Sequence, residues 1–196
     1  MKPAANRMRG LHVCDSRIPG AGMGLFTTGH IQRGQAIGVY TGDVLDLGVW
    51  EKDHYGVEIA DSGMVMSPFT NGDVDFDLHP FAAANEPEIG GGGPNMALRE
   101  ETHDNGHVSM HILVFYAVKN IEAKRELLWC YGGLYERSYE TDLCDEELCT
   151  MRFPKLSEAR VERLARERPD GVHMLPESES SQSSSHDSDP SFTPAL

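Results

Sequence analysis

Apolar positions in the first half of the chain come in short runs divided by glycines. Leu25-Phe26, Ala36 to Tyr40, Val57 to Ala60 and Met64 to Met66 lie between or after Gly10, Gly20, Gly22, Gly24, Gly29, Gly34, Gly38 and Gly42. Runs this short, cut by turn-forming residues, predict many strands joined by tight turns between Leu11 and Tyr116. Ile112 to Val118 is continuously apolar and predicts a strand buried on both faces. A helix is predicted from Ser157 to Arg168, with Ser157 as its cap and Pro169 and Gly171 ending it. Leu156, Val161 and Leu164 give it a thin apolar stripe, and Arg160, Arg163, Arg166 and Arg168 a solvated basic face. No repeat recurs at a fixed period, and the strand-helix rhythm of a doubly wound fold is absent. The body therefore reads as mainly β with one C-terminal helix.

Composition narrows the picture. The 196 residues, 39 % of them hydrophobic, suffice for one domain with a sizeable core. No apolar run reaches the length of a membrane span. Met1 to Leu11 has basic residues but no apolar core, so it does not read as a secretory signal. Four cysteines, Cys14, Cys130, Cys144 and Cys149, are too few for a disulfide scaffold and read as reduced thiols of an intracellular protein. The net charge of -14 leaves no basic footprint for direct contact with nucleic acid, nor for an anionic membrane surface. It favours a basic partner. The expected boundaries are an N-terminal extension over 1–10, the main domain over 11–140, a C-terminal segment with the helix over 141–175, and an acidic Ser-rich tail over 176–196. The tail has almost nothing apolar to bury and is expected to be disordered.

Three stretches could carry chemistry. Gly20-Ala21-Gly22-Met23-Gly24-Leu25-Phe26 fails as a dinucleotide loop, because Leu25 or Thr27 stands where a third glycine is needed and no helix follows. It remains a loop whose backbone a ligand can approach closely. In the second stretch, Ala82 to Ala84 lead into Asn85-Glu86-Pro87, and four glycines separate these from Pro94-Asn95. The small apolar run carries Asn85 inward, where a buried amide would be an organising residue. The third is Glu126-Leu127-Leu128-Trp129-Cys130-Tyr131-Gly132, a mostly apolar segment containing a tyrosine that packing alone could explain.

Taken in order, with Tyr40-Thr41-Gly42-Asp43 between the first two, these motifs resemble the SET-domain protein lysine methyltransferases. The resemblance covers Leu11 to Tyr139. It implies several small β-sheets and a C-terminal motif threaded under the preceding loop in a knot-like arrangement, bringing Asn85 and Tyr131 together. It implies S-adenosylmethionine on one face, with lysine entering from the other through a narrow channel. Ala21, Gly22, Met23 and Gly24 would hold the methionine part of the cofactor. Asn85 and the Glu86 backbone would hold its amino group and adenine. Tyr131 would sit beside the sulfonium and the lysine nitrogen as the catalytic tyrosine. Tyr40 would line the channel as a second catalytic tyrosine, with Leu98 and Trp129 on the channel wall. A wall residue without a hydroxyl at Trp129 leans towards di- or trimethylation.

The chain departs from the family pattern at several points. Glu86 replaces a histidine, Cys130 an aspartate and Asp43 a glutamate. The cysteine that follows the motif's asparagine-histidine pair in many relatives is missing. Zinc needs four ligands, whereas Cys130, Cys144 and Cys149 offer three thiols, so no metal site is expected. Leu143 and Phe153 are candidates to close the cofactor pocket. His103, His107 and His111 are expected at the surface. Three functions stay open. The first is an enzyme methylating a basic protein, most simply a histone tail. The second is a degenerate SET module that binds a peptide without turnover. The third is a β-rich acidic chaperone. A histone substrate would place the protein in the nucleus, with the cytoplasm also open.

Overall fold

The computed structural model describes residues 10–50, 54–59, 62–70, 72–104, 108–132, 135, 137, 139–141, 151–167 and 173–176. The described chain is mainly β, with every pairing between its strands antiparallel. Strands β1 (Leu11–Asp15) and β2 (Met23–Thr27) form a hairpin across the glycine loop. Strands β3 (Ala36–Val39), β4 (Asp43–Asp46), β5 (Val57–Ile59) and β6 (Met64–Ser67) follow, and β6 lies between β4 and β5. A small hairpin of β7 (Phe69–Thr70) and β8 (Asp73–Val74) leads to a short 3-10 helix, Pro80–Ala83. Next come β9 (Met96–Asp104) and β10 (Val108–Ala117), then helix α1 (Glu158–Glu167) and β11 (His173–Pro176).

The long strand β10 is the spine of the largest sheet. Strand β9 pairs along its whole length on one edge, and β11 and β3 share the other. Its side chains alternate between two cores, as the period of two in a strand requires. Leu113, Phe115 and Ala117 pack with Leu25, Tyr40, Met66, Phe81 and Leu127. Ile112, Val114 and Tyr116 pack with Val39 of β3 and with Leu156 and Val161 of the helical segment. The strand predicted to be buried on both faces is buried this way because α1 covers the second face. The predicted helix is present, and Ser157 accepts its first backbone hydrogen bonds at 2.9 and 3.0 Å.

Several strands lie outside the apolar runs, β9 and β11 among them. In β9, Met96 and Leu98 continue the first core, but Arg99, Glu100 and Glu101 hide the strand among charges. Glu101 is buried and accepts hydrogen bonds from the Tyr116 hydroxyl and from the Leu156 amide at 2.9 Å, tying the C-terminal segment to the sheet. His103 and His111, expected at the surface, are mostly covered and pair with Glu101 at 2.9 Å and Glu100 at 2.5 Å. His103 meets Glu101 two residues away on the same face of β9, and His111 of β10 meets Glu100 across the pairing of the two strands. His107 lies outside the described residues. Strand β11 takes in the end of the expected C-terminal segment and Pro176, the first residue of the expected tail, and it extends the sheet edge at Val108 to His111. The tail beyond it lies outside the described residues.

One segment runs through the molecule without belonging to a named strand. Residues 124–131 pass β2, where Leu127 N–H donates to Leu25 O at 2.7 Å and Thr27 N–H to Arg125 O at 3.0 Å. On another side Trp129 N–H donates to Asn85 O at 3.0 Å. On a third, Asn95 donates its side-chain amide to Glu126 O at 2.7 Å and accepts from Leu128 N–H at 2.9 Å. Asn95 N–H and Met96 N–H also reach Leu128 O, at 2.9 and 3.1 Å. The organising buried amide is therefore Asn95, 9 % exposed, and Asn85 is only half-buried. The run of alanines turns Asn85 towards the glycine loop, while the return from the glycine spacer drives Asn95 into the core.

Asn95→Ala strands the buried Glu126 carbonyl and the partly buried Leu128 amide, and should cost about 2 kcal/mol of stability in urea denaturation. Arg163→Ala, on the exposed face of α1, should stay within about 0.5 kcal/mol. Equal losses in the two variants would contradict the threading described.

Candidate active site

The glycine loop begins the site. Gly22 has φ +71°, a backbone conformation closed to most side chains, and an added Cβ there would meet no atom within 4 Å. The Ala21 amide closes a turn onto Ile18 O at 3.1 Å, and Ser16 N–H onto Gly22 O at 2.7 Å. Gly24 is different: a Cβ would come within 2.5 Å of Glu126 Oε1. The missing side chain lets a buried carboxylate lie against the strand.

That carboxylate connects three motifs. Glu126, 7 % exposed, accepts from Ser16 Oγ at 2.6 Å and from Arg17 N–H at 3.0 Å. Asn85 Nδ2 lies 3.3 Å from its Oε1 and donates to Met23 O at 2.8 Å. Both acceptors fix the orientation of the Asn85 amide, so its Oδ1 faces the other way and accepts no hydrogen bond among the described residues. Glu126 belongs to the third motif but was not singled out from sequence. The available signal was an acidic residue opening an apolar run, which a buried segment tolerates only with donors around it.

The two residues beside Asn85 hold the other end of the site. Ala84 O accepts both the Tyr131 hydroxyl and the Trp129 indole N–H, each at 3.1 Å. Glu86 is 4 % exposed. Its Oε1 accepts from Tyr131 N–H at 2.9 Å and Arg137 Nη2 at 2.6 Å. Its Oε2 accepts from Arg137 Nε at 2.6 Å and the Tyr139 hydroxyl at 3.2 Å. Burial, then the neighbouring phenols of Tyr139 and Tyr135 and the Glu86 carboxylate, hold the Tyr131 phenol well above its ordinary range. Burial, with Glu86 next, pushes Tyr139 up to about 12. Tyr131 is thus a neutral hydroxyl at physiological pH, its proton committed to Ala84 O.

Aromatic rings pack one on another from this point into the core. Tyr135, Tyr131, Trp129, Phe115 and Phe81 follow one another with centroids 4.6 to 5.3 Å apart. Tyr40 joins at Phe115, 6.2 Å away, and donates its hydroxyl to Tyr55 O. Leu98 packs on the same core. Tyr40 and Tyr131 are therefore linked through Phe115 and Trp129. Tyr55 and Tyr135 are additions that their short, irregular surroundings concealed. Phe153 lies elsewhere, stacked on Tyr116 at 4.8 Å in the second core, and Leu143 is outside the described residues.

Cys130 corrects the reading of four reduced thiols: it is disulfide-bonded, with its partner outside the described residues, and Cys14 is free. A low cysteine count argues against a scaffold of bridges but not against one pair joined by folding. Cys144 and Cys149 are outside the described residues. Among the described residues no three His, Cys, Asp or Glu converge as a metal cluster, and no helix is long and apolar enough to cross a membrane.

No family model matches the sequence, and no curated protein does. Solved structures with a similar fold include a Plasmodium falciparum protein described as a candidate histone methyltransferase, 18 % identical with a TM-score of 0.45, covering 64 % of this chain and 96 % of that one. A Chaetomium thermophilum polycomb repressive complex 2 is 19 % identical with a TM-score of 0.49, covering 68 % and 16 %. KRYPTONITE in complex with mCHH DNA, an H3(1-15) peptide and SAH is 20 % identical with a TM-score of 0.46, covering 62 % and 23 %. The likeness is distant, and the chain spans less than a quarter of the last two.

Four of the six tyrosines, Tyr116, Tyr131, Tyr135 and Tyr139, have phenols held above the ordinary value, burial being the first cause in each. A raised phenol stabilises the fold below its unfolded pKa of about 10 and loses that contribution as pH rises through the folded value. Absorbance at 295 nm should therefore show most phenols protonated at pH 10 and released together on alkaline unfolding. Ordinary titration of all six in the folded protein would contradict this. Alkylation without reductant should label Cys14 and spare Cys130, and a labelled Cys130 would contradict the disulfide.

Proposed function

We propose that this chain is a SET-domain lysine N-methyltransferase that uses S-adenosylmethionine to methylate a basic protein, a histone tail being the substrate class. The observation that carries the reading is the Asn85 carboxamide, which joins the glycine loop at Met23 to the C-terminal motif at Glu126. Tyr131 meets the neighbouring Ala84 carbonyl. Motifs far apart in sequence thus meet within three residues of chain.

The residues fit the cofactor. Asn85 Oδ1 is an open acceptor suited to an ammonium group, beside a loop with free space over Gly22. In this reading Ala21 to Gly24, Asn85 and the Glu86 backbone hold S-adenosylmethionine. Bound there, it supplies a methyl group made electrophilic by a sulfonium. Tyr131 spends its proton on Ala84 O, so its oxygen lone pairs are free to accept weak C–H hydrogen bonds from that methyl. The substrate amine needs its own lone pair to form the new C–N bond, so it must arrive neutral. An aromatic channel disfavours the ammonium form by desolvation. Tyr40, Leu98 and Trp129 form the channel wall, with Tyr55 and Tyr135 added. Holding donor and acceptor in line is a large part of the available acceleration.

The net charge of -14 steers a basic tail towards the protein and offers a phosphate backbone nothing, so direct DNA binding is not part of this proposal. A histone substrate puts the enzyme in the nucleus. The Cys130 disulfide is unusual for such a compartment and weighs on the other side.

The test is transfer of labelled methyl to core histones. Wild type should label a histone, and Tyr131→Phe should lose about a hundred-fold in turnover while keeping its melting temperature. Cofactor at a hundred times its Kd should stabilise both proteins by about 2.7 kcal/mol. Neither label nor cofactor stabilisation would overturn the proposal and leave a peptide-binding module.

A further inference from the structure

Glu86 stands where the resembled family carries histidine, and it is almost wholly buried in an acidic chain. A buried carboxylate needs a counter-charge and hydrogen bonds. Arg137 supplies both as a two-pronged pair, with side chains 13 % and 2 % exposed for Arg137 and Glu86. The same guanidinium donates to Gly132 O at 2.6 Å and Tyr135 O at 2.9 Å. Glu86 still has capacity for Tyr131 N–H and the Tyr139 hydroxyl. Every one of these partners lies in residues 131–139, the stretch just after the thread leaves the core. Stability alone does not require this arrangement, because apolar residues of similar volume commonly replace a buried ion pair without loss.

We infer that Glu86 and Arg137 form a clamp that positions Tyr131, holding its backbone while Ala84 O holds its hydroxyl. The tripeptide Ala84–Asn85–Glu86 then fixes the phenol tip, the candidate cofactor contact and the backbone of the tyrosine from one rigid piece. Glu86 acts through Tyr131 and is a positioning residue. The inference rests on the proposed methyltransferase reading for its kinetic consequence and stands apart from it for its structural one.

Two double variants separate positioning from stability. Glu86→Leu with Arg137→Met removes the charge pair and the acceptor for Tyr131 N–H. Glu86→Gln with Arg137→Met removes the charges but keeps a carbonyl acceptor. Both should fold, since neither buries an unpaired charge. The Leu variant should lose about a hundred-fold in kcat with KM for S-adenosylmethionine within about threefold, and the Gln variant should recover most of it. In a Trp50→Phe background, emission from Trp129, whose ring lies 5.3 Å from Tyr131, should shift in the Leu variant and return in the Gln variant. A difference between the two variants in either readout supports the clamp. Equality in both readouts, at any level, overturns it. If wild type transfers no methyl, the methyltransferase reading falls, and Trp129 emission alone decides the clamp.

Discussion

A backbone that runs into the core must hydrogen-bond somewhere, and residues 126–131, buried at Glu126 and Leu127 and half-buried beyond, have no strand of their own to do it in. Their N–H and C=O groups are met by β2, by the Asn85 carbonyl, by both ends of the Asn95 side chain and by the Glu86 carboxylate. An unmet group at such depth is costly, so these segments can only assemble together. The thread is apolar at Leu127 and Trp129, which pack in the first core, and polar along its backbone. The hydrophobic side chains draw it in, and the surrounding loops fix its register. That register decides which way Tyr131 points.

Two buried carboxylates, Glu126 in the thread and Glu86 beside it, are stabilised differently. Glu126 is surrounded by a hydroxyl, a backbone amide and a carboxamide, all neutral donors, and it binds together segments of the core. Glu86 is neutralised by a guanidinium and organises the chain beyond the core. The chain carries 31 acidic residues against 17 basic ones, and one of the basic ones, Arg137, is committed to Glu86. The acidic surplus remains on the outside, where it can attract a basic partner.

Much of this could be read from residue pattern. Ile112 to Val118 is apolar at every position because two cores need it, and α1 shows its stripe because only one face meets the sheet. The glycine loop was legible because Gly22 and Gly24 answer two separate demands, a left-handed backbone and a close approach. Strand β9 was not legible, since Glu100 and Glu101 are covered by partners supplied by β10 and the C-terminal segment, which no local window contains. Asn85 and Asn95 look alike in sequence, and only the path of the glycine spacer separates the core amide from the site amide. The role of Glu86 was hidden for a related reason. Its partners lie 45 to 53 residues away, in a stretch whose polar composition reads as surface.

The central claim is that the glycine loop, the Asn85 segment and the C-terminal motif make one site for S-adenosylmethionine. Hydrogen exchange with and without the cofactor tests it most directly. The account predicts added protection in all three peptides together, covering residues 20–26, 84–88 and 126–132. No change in any of them, or a change confined to other parts of the chain, would contradict it.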